Sequence, residues 1–174
     1  MHEPYAYFEH DADMGIVGRG TLIEEAFEHA AAAMFAMMAD PAQIRPQASV
    51  AIEFEEADAE LALVTWLNLL LGEARSRGLI FGRFKLRRDG ASPKVGDRRS
   101  GPPEEVGTFS SGGTEASGAP PKGTSSGARW SGTAEGEPWR DGLERGVEVK
   151  GATLTGLAVT EKNGIWDARC VVDV

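Results

Sequence analysis

A break in composition near the middle of the chain limits what it can fold into more than any other feature. Between Gly90 and Ala128 lie nine Gly, seven Ser and five Pro, and the large apolar residues shrink to Val95, Val106 and Phe109. Such a stretch buries too little apolar surface to offset the entropy of ordering it, so residues 89–128 are predicted to form a disordered insertion. A long surface loop costs little stability, because closure entropy rises slowly with length. The expectation is one domain over 1–174, built from two folded stretches, 1–88 and 129–174.

Patterning is strong on either side of the break. Ile23, Phe27, Ala30, Met34, Phe35 and Met38 recur at helical spacing, Thr21 with Glu24 reads as a capping box, and Asp40-Pro41 ends the run. A second helix is predicted to start at Asp58, an N-cap residue, and to bury Leu63, Val64, Leu67, Leu70, Leu71 and Ala74. Arg75 and Arg77 suit its C-terminal dipole, and Gly78 suits a left-handed cap. Elsewhere the period falls to two: Val50, Ile52, Phe54; Ile80, Gly82, Phe84, Leu86; and Trp130, Gly132, Ala134. At the end, 153–160 and 165–174 flank Lys162-Asn163-Gly164, and Asn-Gly between strands signals a hairpin. The pattern predicts an α+β two-layer sandwich, with two amphipathic helices on a mostly antiparallel sheet.

Charge narrows the function classes. The first eighty residues hold fourteen Asp and Glu against four Arg and no Lys, within a chain of net charge −9. Such a surface repels phosphate backbones and suits a basic partner or a collected cation, so strong direct nucleic-acid binding is not expected. The single Cys170 alternates with apolar neighbours and reads as a buried thiol in a reducing compartment. No run approaches the roughly 20 apolar residues of a membrane span. The expectation is a cytoplasmic protein away from membranes.

The usual catalytic templates are missing. There is no Cys-x-x-Cys zinc site, Gly118–Ser125 lacks the lysine of a phosphate loop, and Gly15, Gly18 and Gly20 do not match a dinucleotide fingerprint. What remains is an acidic turn, Phe8-Glu9-His10-Asp11-Ala12-Asp13-Met14-Gly15. Two carboxylates one residue apart can converge on calcium or magnesium, although the same pattern also serves as a solvated loop or local cap. The chain closes on Val172-Asp173-Val174, which would bring a side-chain and a main-chain carboxylate together; a frayed edge strand reads the same way. Lys150 could balance such a cluster or grip a partner's phosphate or carboxylate, or it could lie along the surface.

These places resemble the archease family. The turn is similar to its Tyr/Phe-Glu-His-Thr-Ala-Asp-Ile/Val-Gly signature, followed by Thr21-Leu22-Ile23-Glu24-Glu25-Ala26-Phe27. Trp66-Leu67-Asn68-Leu69-Leu70, Gly136-Glu137-Pro138, Glu148-Val149-Lys150-Gly151-Ala152-Thr153 and Val172-Asp173-Val174 continue the likeness in order. The resemblance implies a protein that is not itself an enzyme and that activates an RtcB-type RNA ligase in tRNA splicing or RNA repair, promoting its GTP-dependent guanylylation and repeated turnover. It implies that Asp13, Asp173 and Val174 bind a divalent cation, calcium first and magnesium or manganese next. Lys150 would be needed for activation, with Asp11 and His10 as accessory groups. Two positions depart from the family: Asp11 replaces a threonine, and Thr155 stands where many members have histidine. A general chaperone and a metal-dependent hydrolase are the alternatives; the hydrolase lacks a histidine pair or nucleophile beside the carboxylates.

Overall fold

The computed structural model describes residues 2–89 and 128–174, so the predicted insertion lies almost wholly outside the described residues. In chain order the elements are β1 (Tyr5–His10), β2 (Asp13–Gly20), α1 (Ile23–Ala36), a 3-10 turn (Pro41–Gln43), β3 (Ala48–Glu55), α2 (Ala59–Arg77), β4 (Leu79–Asp89), β5 (Arg129–Pro138), β6 (Gly151–Ala152), β7 (Ala158–Lys162) and β8 (Ile165–Asp173). The fold is α+β, as patterning predicts, but the strands form two antiparallel sheets. One runs β1-β2-β8-β6, with β7 also beside β8; the other runs β3-β5-β4. Helix α1 packs on β2 and β8 of the first sheet and on β4 of the second, while α2 packs on β3, β4 and β6.

Aromatic residues join the layers. Trp130 stacks with Phe27, at 5.2 Å, and with Phe54, at 5.9 Å. Trp66 is fully buried and its indole N–H donates to the Phe27 carbonyl at 3.1 Å. Each such side chain contributes about 1.5–3 kcal/mol by burial, against about 1 kcal/mol for a helix cap. Packing therefore fixes where α2 lies and capping fixes where it starts. The cap is Asp58, whose carboxylate accepts from the Glu60 and Leu61 amides, and Gly78 ends the helix at φ +65°. Two glycines permit the close approaches. A Cβ at Gly18 would meet the Ala26 carbonyl oxygen at 2.1 Å, and one at Gly132 would meet the Trp66 ring at 2.8 Å.

Several local expectations change. Glu25, not Glu24, completes the start of α1: its carboxylate accepts from both the Thr21 amide and hydroxyl, because the helix begins one residue later, with Leu22 as N-cap. Those bonds hold the Glu25 carboxyl below its ordinary range. In α2, Trp66 rather than Val64 completes the buried stripe. A register shift between Phe81 and Arg83 interrupts the β4 alternation, so Leu79, Ile80 and Phe81 are all buried. Residues 153–160 do not form one strand: β6 stops at Ala152, β7 starts at Ala158, and a turn separates them. The Asn163-Gly164 turn forms as expected, with φ of 53° and 77°.

Candidate metal and partner site

Strand pairing gathers most of the predicted site. His10 faces Asp13 across the β1–β2 hairpin, and Asp173 faces Gly151 across β8–β6. The β2–β8 register ends at Met14↔Val172, and one further step of the same register would set Asp13 opposite Asp173. His10, Asp13, Asp173 and Gly151 thus form one transverse row, with side chains on a common face. The Val174 amide reaches the Asp13 Oδ1 at 3.4 Å. On the same face one row inward, Phe8 lies over Gly15, where a Cβ would sit 2.2 Å from its ring. The carboxylates therefore stand beside an apolar floor.

Opposed carboxylates in neighbouring strands repel. None of the ion pairs among the described residues involves Asp13 or Asp173, which leaves their repulsion without a cationic side chain. The donors are all oxygen, which suits a hard cation. Among the described residues no three His, Cys, Asp or Glu side chains gather as a group that could hold a metal ion. The accessory residues fare unequally. His10 joins the row, but Asp11 sits at the turn apex with φ 49°, its side chain 94% exposed and 3.9 Å from His10.

Lys150 is held by its backbone. Its amide donates to the Asp173 carbonyl at 2.7 Å, and the Arg75 guanidinium donates to the Val149 and Lys150 carbonyls at 2.7 and 2.6 Å. Asn68 clamps the next strand, accepting from the Ala152 amide at 2.9 Å and donating to its carbonyl at 3.1 Å. Sequence reasoning missed both anchors. Arg75 looks like a charge at a helix end, and Asn68 looks like a polar break in an apolar stripe, which is the one signal it offered. Thr155 lies in the turn after β6. Its carbonyl accepts from the Val171 amide at 2.9 Å, and its amide donates to the Thr153 hydroxyl.

Other titratable groups serve the fold. Burial would raise the Glu137 carboxyl, but bonds from Arg140 and the Arg45 amide outweigh it and hold the group below its ordinary range. Burial pushes the Cys170 thiol up to about 12. Among the described residues no helix is long and apolar enough to cross a membrane.

Comparison with known proteins agrees with this architecture. The profile of the archease protein family (MTH1598/TM1083) matches residues 5–100 and 108–174. An archease of Sulfolobus acidocaldarius is 42% identical over 82 residues, covering 47% of this chain and 59% of that protein. The chain thus spans about three-fifths of the length of the first curated relatives it matches. An archease of Methanothermobacter thermautotrophicus is 26% identical over 170 residues, 98% of each protein. The solution structure of Methanobacterium thermoautotrophicum protein 1598 superimposes with a TM-score of 0.71 at 25% identity, over 98% of this chain and 99% of that one. The crystal structure of a Thermotoga maritima archease, described as a possible chaperone, shares the fold at a TM-score of 0.53 and 16% identity, over 100% and 98% of the two chains. This chain belongs to the archease family.

Proposed function

We propose that this protein is a non-catalytic cofactor of an RtcB-type RNA ligase, promoting GTP-dependent guanylylation and repeated turnover through a divalent cation held at the end of β8. The observation that carries the reading is the shared row of Asp13 and Asp173, with Val174 bonded to Asp13 and the Lys150 backbone bonded to Asp173. Asp13, Asp173 and the Val174 carboxylate would hold the cation, calcium in the first instance. The chemistry it supplies is charge neutralisation at carboxylate and phosphate oxygens. Lys150 directly precedes β6, and its ammonium would suit a partner's phosphate or carboxylate. The acidic first half of the chain favours a basic nucleic-acid enzyme as partner over the nucleic acid itself.

The test is GTP-dependent guanylylation of the cognate ligase with substoichiometric, untagged protein. Wild type should accelerate it, and Asp173→Ala should abolish the acceleration while circular dichroism shows the fold intact. Full activity in Asp173→Ala would sink the cation reading. No acceleration by folded wild type would remove the ligase reading altogether. Metal-independent suppression of client aggregation would then favour a chaperone.

A further inference from the structure

Before Lys150 in sequence, the strap Arg145–Val149 and the C-terminal end of α2 line a half-open cavity of about 440 Å³. The strap is tied at both ends. The Gly146 and Val147 amides donate to the Met38 and Met37 carbonyls at 2.7 and 2.8 Å, and Arg75 holds the Val149 carbonyl at 2.7 Å. The cavity is therefore already formed and needs no ordering on binding, and its volume falls within the range of ligand pockets. Its floor is Leu71, Leu79 and Val149, all buried. Its mouth carries the Trp139 ring, with the Arg145 guanidinium 4.1 Å from the ring centroid, and Val147, which is 51% exposed.

Charge separates this patch from the rest of the molecule. Arg75 and Arg145 line the cavity against Glu148 alone, so two cations meet one carboxylate in a chain of net charge −9. An apolar floor, a Trp–Arg pair and an exposed valine at the lip are the residue types that anchor protein interfaces. We infer that this cavity docks a segment of the partner ligase presenting one bulky apolar side chain flanked by carboxylates. The inference rests on the proposed function and extends it. Activation takes place at the carboxylate row, and affinity is set at the cavity, with Lys150 between them.

The two roles separate experimentally. Binding of the purified ligase to full-length protein would be measured for wild type, Val147→Asp, Ala74→Leu and Asp13→Ala. Val147→Asp puts a negative charge at an exposed lip. Ala74→Leu fills the cavity from α2, where Ala74 lines the wall. Both should weaken binding about tenfold or more, whereas Asp13→Ala should bind within about threefold of wild type and fail to activate. Wild-type affinity in both cavity variants would overturn the docking site and leave the ligase reading standing. If wild type itself neither binds nor activates the ligase, amide and indole NMR of Gly146, Val147 and Trp139 decides the matter. Shifts with a Leu-containing peptide flanked by Glu, but not with its Lys-flanked counterpart, support the site. No shift with either peptide, or shifts that depend only on protein concentration and so report a second copy, overturn it.

Discussion

Asn68→Ala tests whether α2 holds strand β6 in place. The substitution removes two hydrogen bonds, at 2.9 and 3.1 Å, that join the Asn68 amide to both main-chain groups of Ala152. Each such bond is worth about 0.5–1.5 kcal/mol net, and partial access to water puts this pair in the lower half, about 1–2 kcal/mol together. Alanine, however, returns up to about 0.7 kcal/mol of helix propensity within α2. Global stability should therefore fall by only about 0.3–1.3 kcal/mol, a loss of roughly 1–5 °C in Tm for a domain of this size. The helix gain does nothing for β6, so local opening there should carry the full loss. Amide exchange of Ala152 should accelerate about 5–30-fold, while the amides of β3 and β5 follow the small global change. Native-state hydrogen exchange by NMR, alongside thermal unfolding, reads both. In Asn68→Asp, which keeps an acceptor for the Ala152 amide but sets a carboxylate against its carbonyl, β6 should open at least as readily. Unchanged protection of Ala152 in Asn68→Ala would refute the clamp.

Three further outcomes follow from particular contacts. Gly18→Ala drives a methyl group onto the Ala26 carbonyl and the Ala30 amide, so α1 must lift from β2; chemical denaturation should show a loss of about 1–3 kcal/mol or more. Glu137 has a lowered folded pKa, so its contribution is complete above the ordinary glutamate value of about 4.3 and is lost as pH falls through the lower folded value. Glu137→Gln should accordingly be less stable than wild type at neutral pH and show a flatter decline of Tm below about pH 5. Cys170 is fully buried and its thiol is pushed up to about 12, so a thiol reagent at pH 8 should label it only after unfolding, with the rise in denaturant tracking loss of structure. Prompt stoichiometric labelling of the native protein would contradict that burial.

Much of the fold is legible in the sequence because local interactions specify it. The Asp58 cap, the Gly78 left-handed end, the Asn163-Gly164 turn and the period-two stretches around Ile52, Phe84 and Ala134 each depend on residues a few positions apart. The acidic turn is legible in the same way, since Asp11-Ala12 is a two-residue connection between His10 and Asp13, in strands that pair immediately. Local rules misread Glu25, Val64 and the 153–160 stretch, because each was settled by where the chain packed. The shift from Glu24 to Glu25 follows from the helix starting a residue later. Trp66 replaces Val64 in the core because Gly132 of β5 leaves room for its ring.

The site itself belongs to the tertiary structure. Asp13 and Val174 meet across 161 positions of sequence, and only the register of β8 between β2 and β6 brings them together. Asn68 and Arg75 hold β6 and Lys150 from more than seventy residues away, through main-chain carbonyls and amides that every residue possesses. The sequence by itself determined both helices, the period-two strands, the Asn163-Gly164 turn and where acidic chemistry collects, because those follow from side-chain periodicity and short-range hydrogen bonds. Only the folded chain decided which acidic residues share a row, where the Lys150 backbone is tied and which cavity opens along the preceding strap. Those depend on strand register and helix packing, and long-range pairing leaves no periodic trace in the residues it joins.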